Sequence, residues 1–237
     1  NKMKKNLSKI KLFLDGPKID EINKKYEIDI DGYTFNPSLF KKNGAKDYLN
    51  YCNEILKTCK NKPVSLEVIA DDEENMFNQG KKLSQLSDNV FVKVPIVFTN
   101  GSSTLNVIKK LSQEGIKLNI TAIFLIEQIE LILKDIKDTK TILSIFAGRL
   151  YDSGIDAKIK MNEMNKYVHE NSNCQTLWAS TRMVFDYIQA AEVNTDIITM
   201  QIDHLKKMEL FKLDPMDYSI KTVKQFFDDA TESGFKF

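Results

Sequence analysis

Metal, redox and membrane chemistry leave little trace in this chain: of 237 residues only three are cysteine and two are histidine. Cys52, Cys59 and Cys174 are odd in number and have no CxxC spacing, which points away from a disulfide framework and from a zinc site. They read as reduced thiols in a core. His169 and His204 lack metal-ligand spacing and read as surface or capping residues. No apolar run approaches the roughly 18 residues of a membrane span. The stretch KMKKNLSKIKLFLD spaces its charges too closely for the apolar segment of a signal peptide, so a cytoplasmic protein is expected. Neither GxGxxG nor GxxxxGK[ST] follows the first strand-like run, which excludes nucleotide binding in the usual way. Lys and Arg number 34 against 33 Asp and Glu, a net charge of +1 that leaves no broad basic face for nucleic acid. The lysines near the N-terminus and from Lys57 to Lys62 are offset by acids or sit on solvated helix faces. With nine glycines and five prolines, no linker or low-complexity tract divides the chain.

What the chain does have is alternation. Eight β-rich runs recur: IKLFLD, IDIDGYTF, VSLEVIA, NVFVKVPIVF, IKLNITAIF, TILSIFAGRL, QTLWAS and DIITMQI. Between them lie segments with apolar residues at three- and four-residue spacing, from SLFKKNGAKDYLNYCNEILKTCK through LIEQIELILKDI to TRMVFDYIQAAEV. Asn or Ser precedes several of them as a cap, as in NPSLF and NGSSTLN. The pattern predicts α/β architecture: a single (β/α)8 barrel of eight parallel strands, for which roughly 200 residues suffice. One domain is expected over residues 1–237, with an N-terminal extension over 1–9 and a C-terminal helix over about 219–237.

Within the fourth run, Lys93 stands mid-strand between valines, with no acidic neighbour in sequence. A lysine there either snorkels to water from an edge strand or is buried. A buried ammonium loses hydration and gives up its proton more readily, and the neutral amine is a nucleophile that forms a Schiff base with a carbonyl. Chemistry in a parallel barrel gathers at the C-terminal strand ends. Standing there are Asp15, Asn36, Glu67, Lys93, Asn119 with Thr121, Ser144 with Arg149, and Ser180 with Arg182, from seven successive strands. An amine, two carboxylates, small hydroxyls and two guanidiniums suit a phosphorylated carbonyl substrate.

At these residues the chain resembles the transaldolase family, in its short, compact branch, over nearly its whole length. The motifs come in the family's order: FLD with Asp15, DGYTFNPSL with Asn36, VSLEV with Glu67, VKVP with Lys93, GIKLNITAIF with Asn119 and Thr121, SIFAGRL with Ser144, Phe146 and Arg149, and WASTR with Ser180 and Arg182. The resemblance implies a class I aldol mechanism without metal or cofactor, in the non-oxidative pentose phosphate pathway. Lys93 is implied as the Schiff-base lysine and Asp15 as the acid and base at the C4 hydroxyl. Glu67 and Thr121 would hold the catalytic water. Asn36, Asn119 and Ser144 would bind the dihydroxyacetone end, and Arg149, Arg182 and Ser180 the distal phosphate. Ketose and aldose phosphates are the implied ligands. A homo-oligomer is implied too, since such proteins form rings of barrels; Phe226 and Phe227 near the C-terminus would cover a neighbouring subunit.

A related branch, the fructose-6-phosphate aldolases, cleaves without passing the three-carbon unit on. That branch resembles Gln at the position of Glu67 and Tyr at that of Phe146, so both residues here favour transfer. Aldolase cleavage and a non-catalytic sugar-phosphate-binding barrel are the alternatives. Five residues depart from the family pattern: Gly16, Pro17, Phe35, Ile145 and Thr181. Phe35 is expected to enlarge or dry a wall of the site and Ile145 to shift Ser144. Trp178 is expected to pack against a helix.

Overall fold

The β-rich runs become strands whose alternate residues face a shared interior. In the computed structural model, which describes residues 9–237, the strands are β1 (Lys11–Asp15), β2 (Gly32–Thr34), β3 (Val64–Glu67), β4 (Val90–Pro95), β5 (Leu118–Ile123), β6 (Ile142–Ile145), β7 (Gln175–Trp178) and β8 (Ile197–Met200). Each pairs in parallel with the next. β8 returns to β1 through Lys11↔Ile197, Leu12↔Ile198, Phe13↔Thr199 and Leu14↔Met200, which closes the barrel. The eight-stranded parallel barrel expected from the alternation is the fold observed.

Side chains alternate across a strand, so the inward set runs in steps of two. Phe13, Ile142, Leu177 and Ile197 make one buried cluster with Phe91 packed on it. Gly32 belongs to this layer because the Phe13 ring fills the place of its side chain; a Cβ there would lie 2.6 Å from the ring. Two residues further along the same strands come Asp15, Ser144, Thr199, Lys93 and Thr34. The barrel thus has an apolar floor and a polar mouth. The opposite set, including Leu12, Leu14, Leu66, Val92, Val94, Ile120, Leu143 and Ile198, is buried on the outer face, each side chain worth about 1.5–3 kcal/mol before the entropy of ordering it. Burial on both faces is why these strands read as continuous apolar runs.

The barrel helices are α1 (Ile19–Ile22), α2 (Pro37–Lys42), α3 (Tyr48–Cys59), α4 (Glu73–Ser84), α5 (Leu105–Gln113), α6 (Ile126–Ile136), α7 (Ala147–Asp152), α8 (Ala157–Asn171) and α9 (Asp186–Glu192), with α10 (Ile202–Lys207) following β8. Three segments differ from the sequence reading. The SLFKK…TCK run is two helices, because Asp47 caps the second by accepting the Asn50 N–H at 2.8 Å. TILSIFAGRL is a strand only as far as Ile145, and α7 begins at Ala147. The helix expected from Thr181 starts at Asp186, whose carboxylate instead accepts the N–H groups of Arg182 and Met183 at 2.7 and 3.2 Å.

The first compact unit ends at Ile202, and Asp203–Phe237 form a second. The second contains a 3-10 turn (Met208–Lys212) and α11 (Pro215–Ser233). α11 starts ahead of the expected residue 219 because Asp214 caps it with Pro215 at its first position, and it ends at Gly234 in the left-handed region. Met216, Ile220, Val223 and Phe227 recur along it at three- and four-residue spacing and are exposed, as is Phe226. The expected extension over residues 1–9 lies outside the described residues apart from Lys9. Among the described residues no helix is long and apolar enough to cross a membrane. All three cysteines are free and buried, and Trp178 is buried beside Tyr151 of α7, ring centres 6.2 Å apart.

Candidate active site

The polar mouth opens into a cavity. Asp15, Asn36, Lys93, Thr121, Ser144, Phe146, Arg149, Ser180 and Arg182 lie on its wall; of the expected catalytic and binding residues, Glu67 and Asn119 do not.

Lys93 is 5% exposed, so the snorkelling reading does not hold. Register places it between Glu67 on β3 and Asn119 on β5. Its Nζ donates to the Phe35 carbonyl at 3.0 Å. Among the described residues no carboxylate oxygen lies within 4.0 Å of that amine, and two carboxylates face it from further off. Asp15 and Glu67 are those carboxylates. Burial pushes the Asp15 carboxyl above its ordinary range, opposed by the Lys93 charge and by a hydrogen bond from Thr34. Burial also raises Glu67, opposed by Lys93 and reinforced by Asp15. Two carboxyls held near one amine and displaced from their ordinary values are the arrangement from which acid and base roles are divided. Glu67 itself borders a second cavity, with Tyr48, Gln79 and Lys82.

Around this centre the hydroxyls and amides are already engaged. The Thr34 hydroxyl donates to Asp15 Oδ1 at 2.9 Å and lies 2.6 Å from the Thr199 hydroxyl. Asn36 caps α2, its Oδ1 accepting the Leu39 N–H at 2.8 Å, which leaves its NH2 for a ligand. Asn119, in register with Lys93 but off the cavity wall, donates to Ser65 Oγ at 3.0 Å and accepts from Ser144 Oγ at 2.7 Å. It therefore holds Ser144 in place. Thr121 differs: the residue lines the cavity, and its buried Oγ1 has no hydrogen-bond partner. An unpaired buried hydroxyl costs about 1–3 kcal/mol and is satisfied by whatever polar group enters. The next residue, Ala122, has φ 59, and the β5–β6 register shifts across it, so the strand bends at the cavity wall.

The cations lie beyond the strand ends. Arg149 comes from α7, its guanidinium 5.8 Å from the Phe146 ring centre. Arg182 follows β7 and is gripped by Asp152, Nε to Oδ1 at 3.0 Å and Nη2 to Oδ2 at 2.7 Å. Between them the chain turns at Ser180, φ 61, and its carbonyl presses on Gly148. Phe35 does not line the cavity as expected. Thr34 takes the inward position, which turns the Phe35 ring outward onto Phe40 at 5.8 Å. Gly16 has φ +59 and Leu39 lies 2.6 Å from where its Cβ would be, which accounts for glycine after Asp15. Ile145 is buried while Ser144 keeps its place on the wall, and Thr181 is buried at the cavity edge.

Sequence reasoning missed Thr34, Ser38, Thr199, Gln201 and Asp152. Thr199 shares an inward face with Ile197, so strand parity was the available signal. Among the described residues no group of three or more His, Cys, Asp or Glu is placed to hold a metal ion.

A sequence-family model described as Transaldolase/Fructose-6-phosphate aldolase matches residues 12–236. The chain belongs to this family. It is 36% identical over 201 residues to a protein of Methanococcus maripaludis named "Probable transaldolase", covering 84% of this chain and 89% of that one. It is 35% identical over 230 residues to a protein of the same name from a Ruegeria species, covering 96% and 99%. Among solved structures it is similar to deoxyribose phosphate aldolase from Aeropyrum pernix, with a TM-score of 0.59 and 9% identity over 89% of this chain and 92% of that chain; this likeness concerns the fold alone. The family match spans both the barrel and α11, so the second compact unit belongs to what this family shares.

Proposed function

We propose that the protein is a transaldolase. It moves a dihydroxyacetone unit from a ketose phosphate, fructose 6-phosphate or sedoheptulose 7-phosphate, to an aldose phosphate, as an enzyme of the non-oxidative pentose phosphate pathway in the cytoplasm. The observation that carries this reading is the buried Lys93 amine on a cavity wall shared with Asp15 and with two arginines. Family membership and relatives named transaldolase support it.

In this reading the Lys93 amine adds to the C2 carbonyl and water leaves, giving an iminium. Asp15 removes the C4 hydroxyl proton as the C3–C4 bond breaks. That electron pair flows into the iminium to give an enamine, and the aldose phosphate departs as an aldehyde. An incoming aldehyde is attacked by the enamine carbon, Asp15 returns its proton to the new alkoxide, and water releases the product. The unpaired Thr121 hydroxyl suits the site for that water, and Glu67, beside Lys93, is the second group the reading assigns to it. Asn36 and Ser144, the latter held by Asn119, contact the three-carbon end. Arg149 and Arg182 with Ser180 take the phosphate. No metal or cofactor enters this sequence of steps, and a homo-oligomer is expected.

Simple cleavage, as by a fructose-6-phosphate aldolase, is the second reading. Phe146 on the cavity wall favours transfer, because its ring has no proton to give the enamine. The test is release of glyceraldehyde 3-phosphate from fructose 6-phosphate with and without erythrose 4-phosphate, in wild type and Lys93→Ala, alongside borohydride trapping and intact mass. Acceptor-dependent release with an adduct lost in the variant is expected. Acceptor-independent release would make it an aldolase; neither release nor adduct would leave a sugar-phosphate-binding barrel.

A further inference from the structure

Thr34 and Thr199 face each other inside the barrel, 2% and 3% exposed, with their hydroxyl oxygens 2.6 Å apart. They come from β2 and β8, and Asp15 from β1 between them. A hydroxyl has one proton to donate. Thr34 gives its own to Asp15 Oδ1 at 2.9 Å, so in the contact between the two threonines Thr199 is the donor and Thr34 the acceptor. The chain of hydrogen bonds therefore has a direction, Thr199 to Thr34 to Asp15, and each bond polarises the next.

Resting on the transaldolase reading above, we infer that Thr199 is a positioning residue for proton transfer at Asp15: acting through Thr34, it holds Oδ1 and leaves Oδ2 to take the C4 hydroxyl proton. As C3–C4 breaks, that proton moves to Oδ2, the C4 oxygen becomes a carbonyl, and the electron pair passes to the iminium on Lys93. The bond from Thr34 to Oδ1 survives both protonation states, so the carboxyl keeps its orientation until the proton is returned. The charged groups facing Asp15 are Lys93 from β4 and Glu67 from β3. Neither orients the carboxyl by a direct hydrogen bond among the described residues. Without the Thr199 hydroxyl, Thr34 is free to rotate away from Oδ1, and Asp15 loses a bond that favours its ionised form.

The experiment compares full-length wild type, Thr199→Val and Thr199→Ser. Valine keeps the shape and removes the hydroxyl; serine keeps the hydroxyl and removes the methyl group. In Thr199→Val, kcat for transfer is expected to fall about tenfold, a fraction of the roughly 10²–10⁴-fold that a positioned base supplies. KM should stay within about twofold, and the acid limb of the kcat/KM profile should move to higher pH. Borohydride trapping of the donor on Lys93 should persist, because imine formation does not use this chain of hydroxyls. Thr199→Ser should restore both kcat and the pH profile. Wild-type kcat and pH profile in Thr199→Val would overturn the inference, as would equal losses in both variants, which mark a packing role. Failure of the wild type to transfer or trap would instead remove the transaldolase reading, and this inference with it.

Discussion

Gly148 is the position where a single methyl group tests the architecture of the arginine-lined end of the cavity. It lies in the first turn of α7, and a Cβ added there would stand 1.5 Å from the Ser180 carbonyl oxygen, 2.7 Å from its carbon and 3.0 Å from Arg182 Cγ. Carbon and oxygen in contact sit about 3.3 Å apart, so the two segments must separate by roughly 1.8 Å. The obstacle is backbone at a residue already in the left-handed region, φ 61, so no side-chain rotation relieves it. Overpacking costs about 1–3 kcal/mol, and a backbone obstacle places Gly148→Ala near the upper end. At roughly 2–4 °C per kcal/mol for a chain of this size, the melting temperature should fall by about 6–12 °C. Because Ser180 and Arg182 would move relative to Arg149, KM for fructose 6-phosphate should rise about tenfold, with a smaller change for unphosphorylated fructose. A variant that melts within about 2 °C of wild type and keeps its KM would refute the close approach of α7 to the β7 turn.

Asp15→Asn should abolish transfer yet stabilise the fold near neutral pH. The folded carboxyl is raised above its ordinary value of 3.8, so its contribution to stability is present below 3.8 and lost as pH rises through the folded value. Denaturant midpoints should favour the variant at about pH 7, with the gain shrinking as pH falls toward 3.8; a variant less stable than wild type at neutral pH would show that the Lys93 attraction outweighs burial. Asp152 takes the Nε–Nη2 edge of the Arg182 guanidinium, and Nη1 reaches the Ser180 carbonyl at 3.5 Å. Asp152→Asn should raise KM for fructose 6-phosphate about threefold with kcat unchanged, in keeping with an exposed pair worth under about 1 kcal/mol. An unchanged KM would mean that Arg182 is held by other contacts.

The strands were legible because burial on both faces leaves long β-branched runs, and Lys93 stood out as a charge set between valines in one of them. The wall residues were legible through motif order. What escaped reading depends on partners distant in sequence. Thr34 and Thr199 are 165 positions apart, and each alone is an unremarked strand threonine. Arg182 and Asp152 are 30 apart. The capping role of Asn36, by contrast, was legible in NPSLF, and α2 bears it out. Phe35 was misplaced because the face of a strand residue depends on the phase of its alternation, which β2, at three residues, is too short to declare. The short α7 was hidden because IFAGRL continues the apolar run of β6 without a break.

Closure of the barrel also bears on how the site comes into being. The pairing of β1 with β8 brings Thr199 into the layer that holds Asp15 and Thr34, and β8 ends at Met200. During synthesis, at roughly 5–20 residues per second, Asp15 and Lys93 leave the ribosome long before that strand exists. Until β8 emerges, both edges of the growing sheet stay unpaired, and the amine and the carboxylate have no sealed interior to keep water out. Recovery of activity in a refolding chain should therefore come no earlier than the last strand pairing.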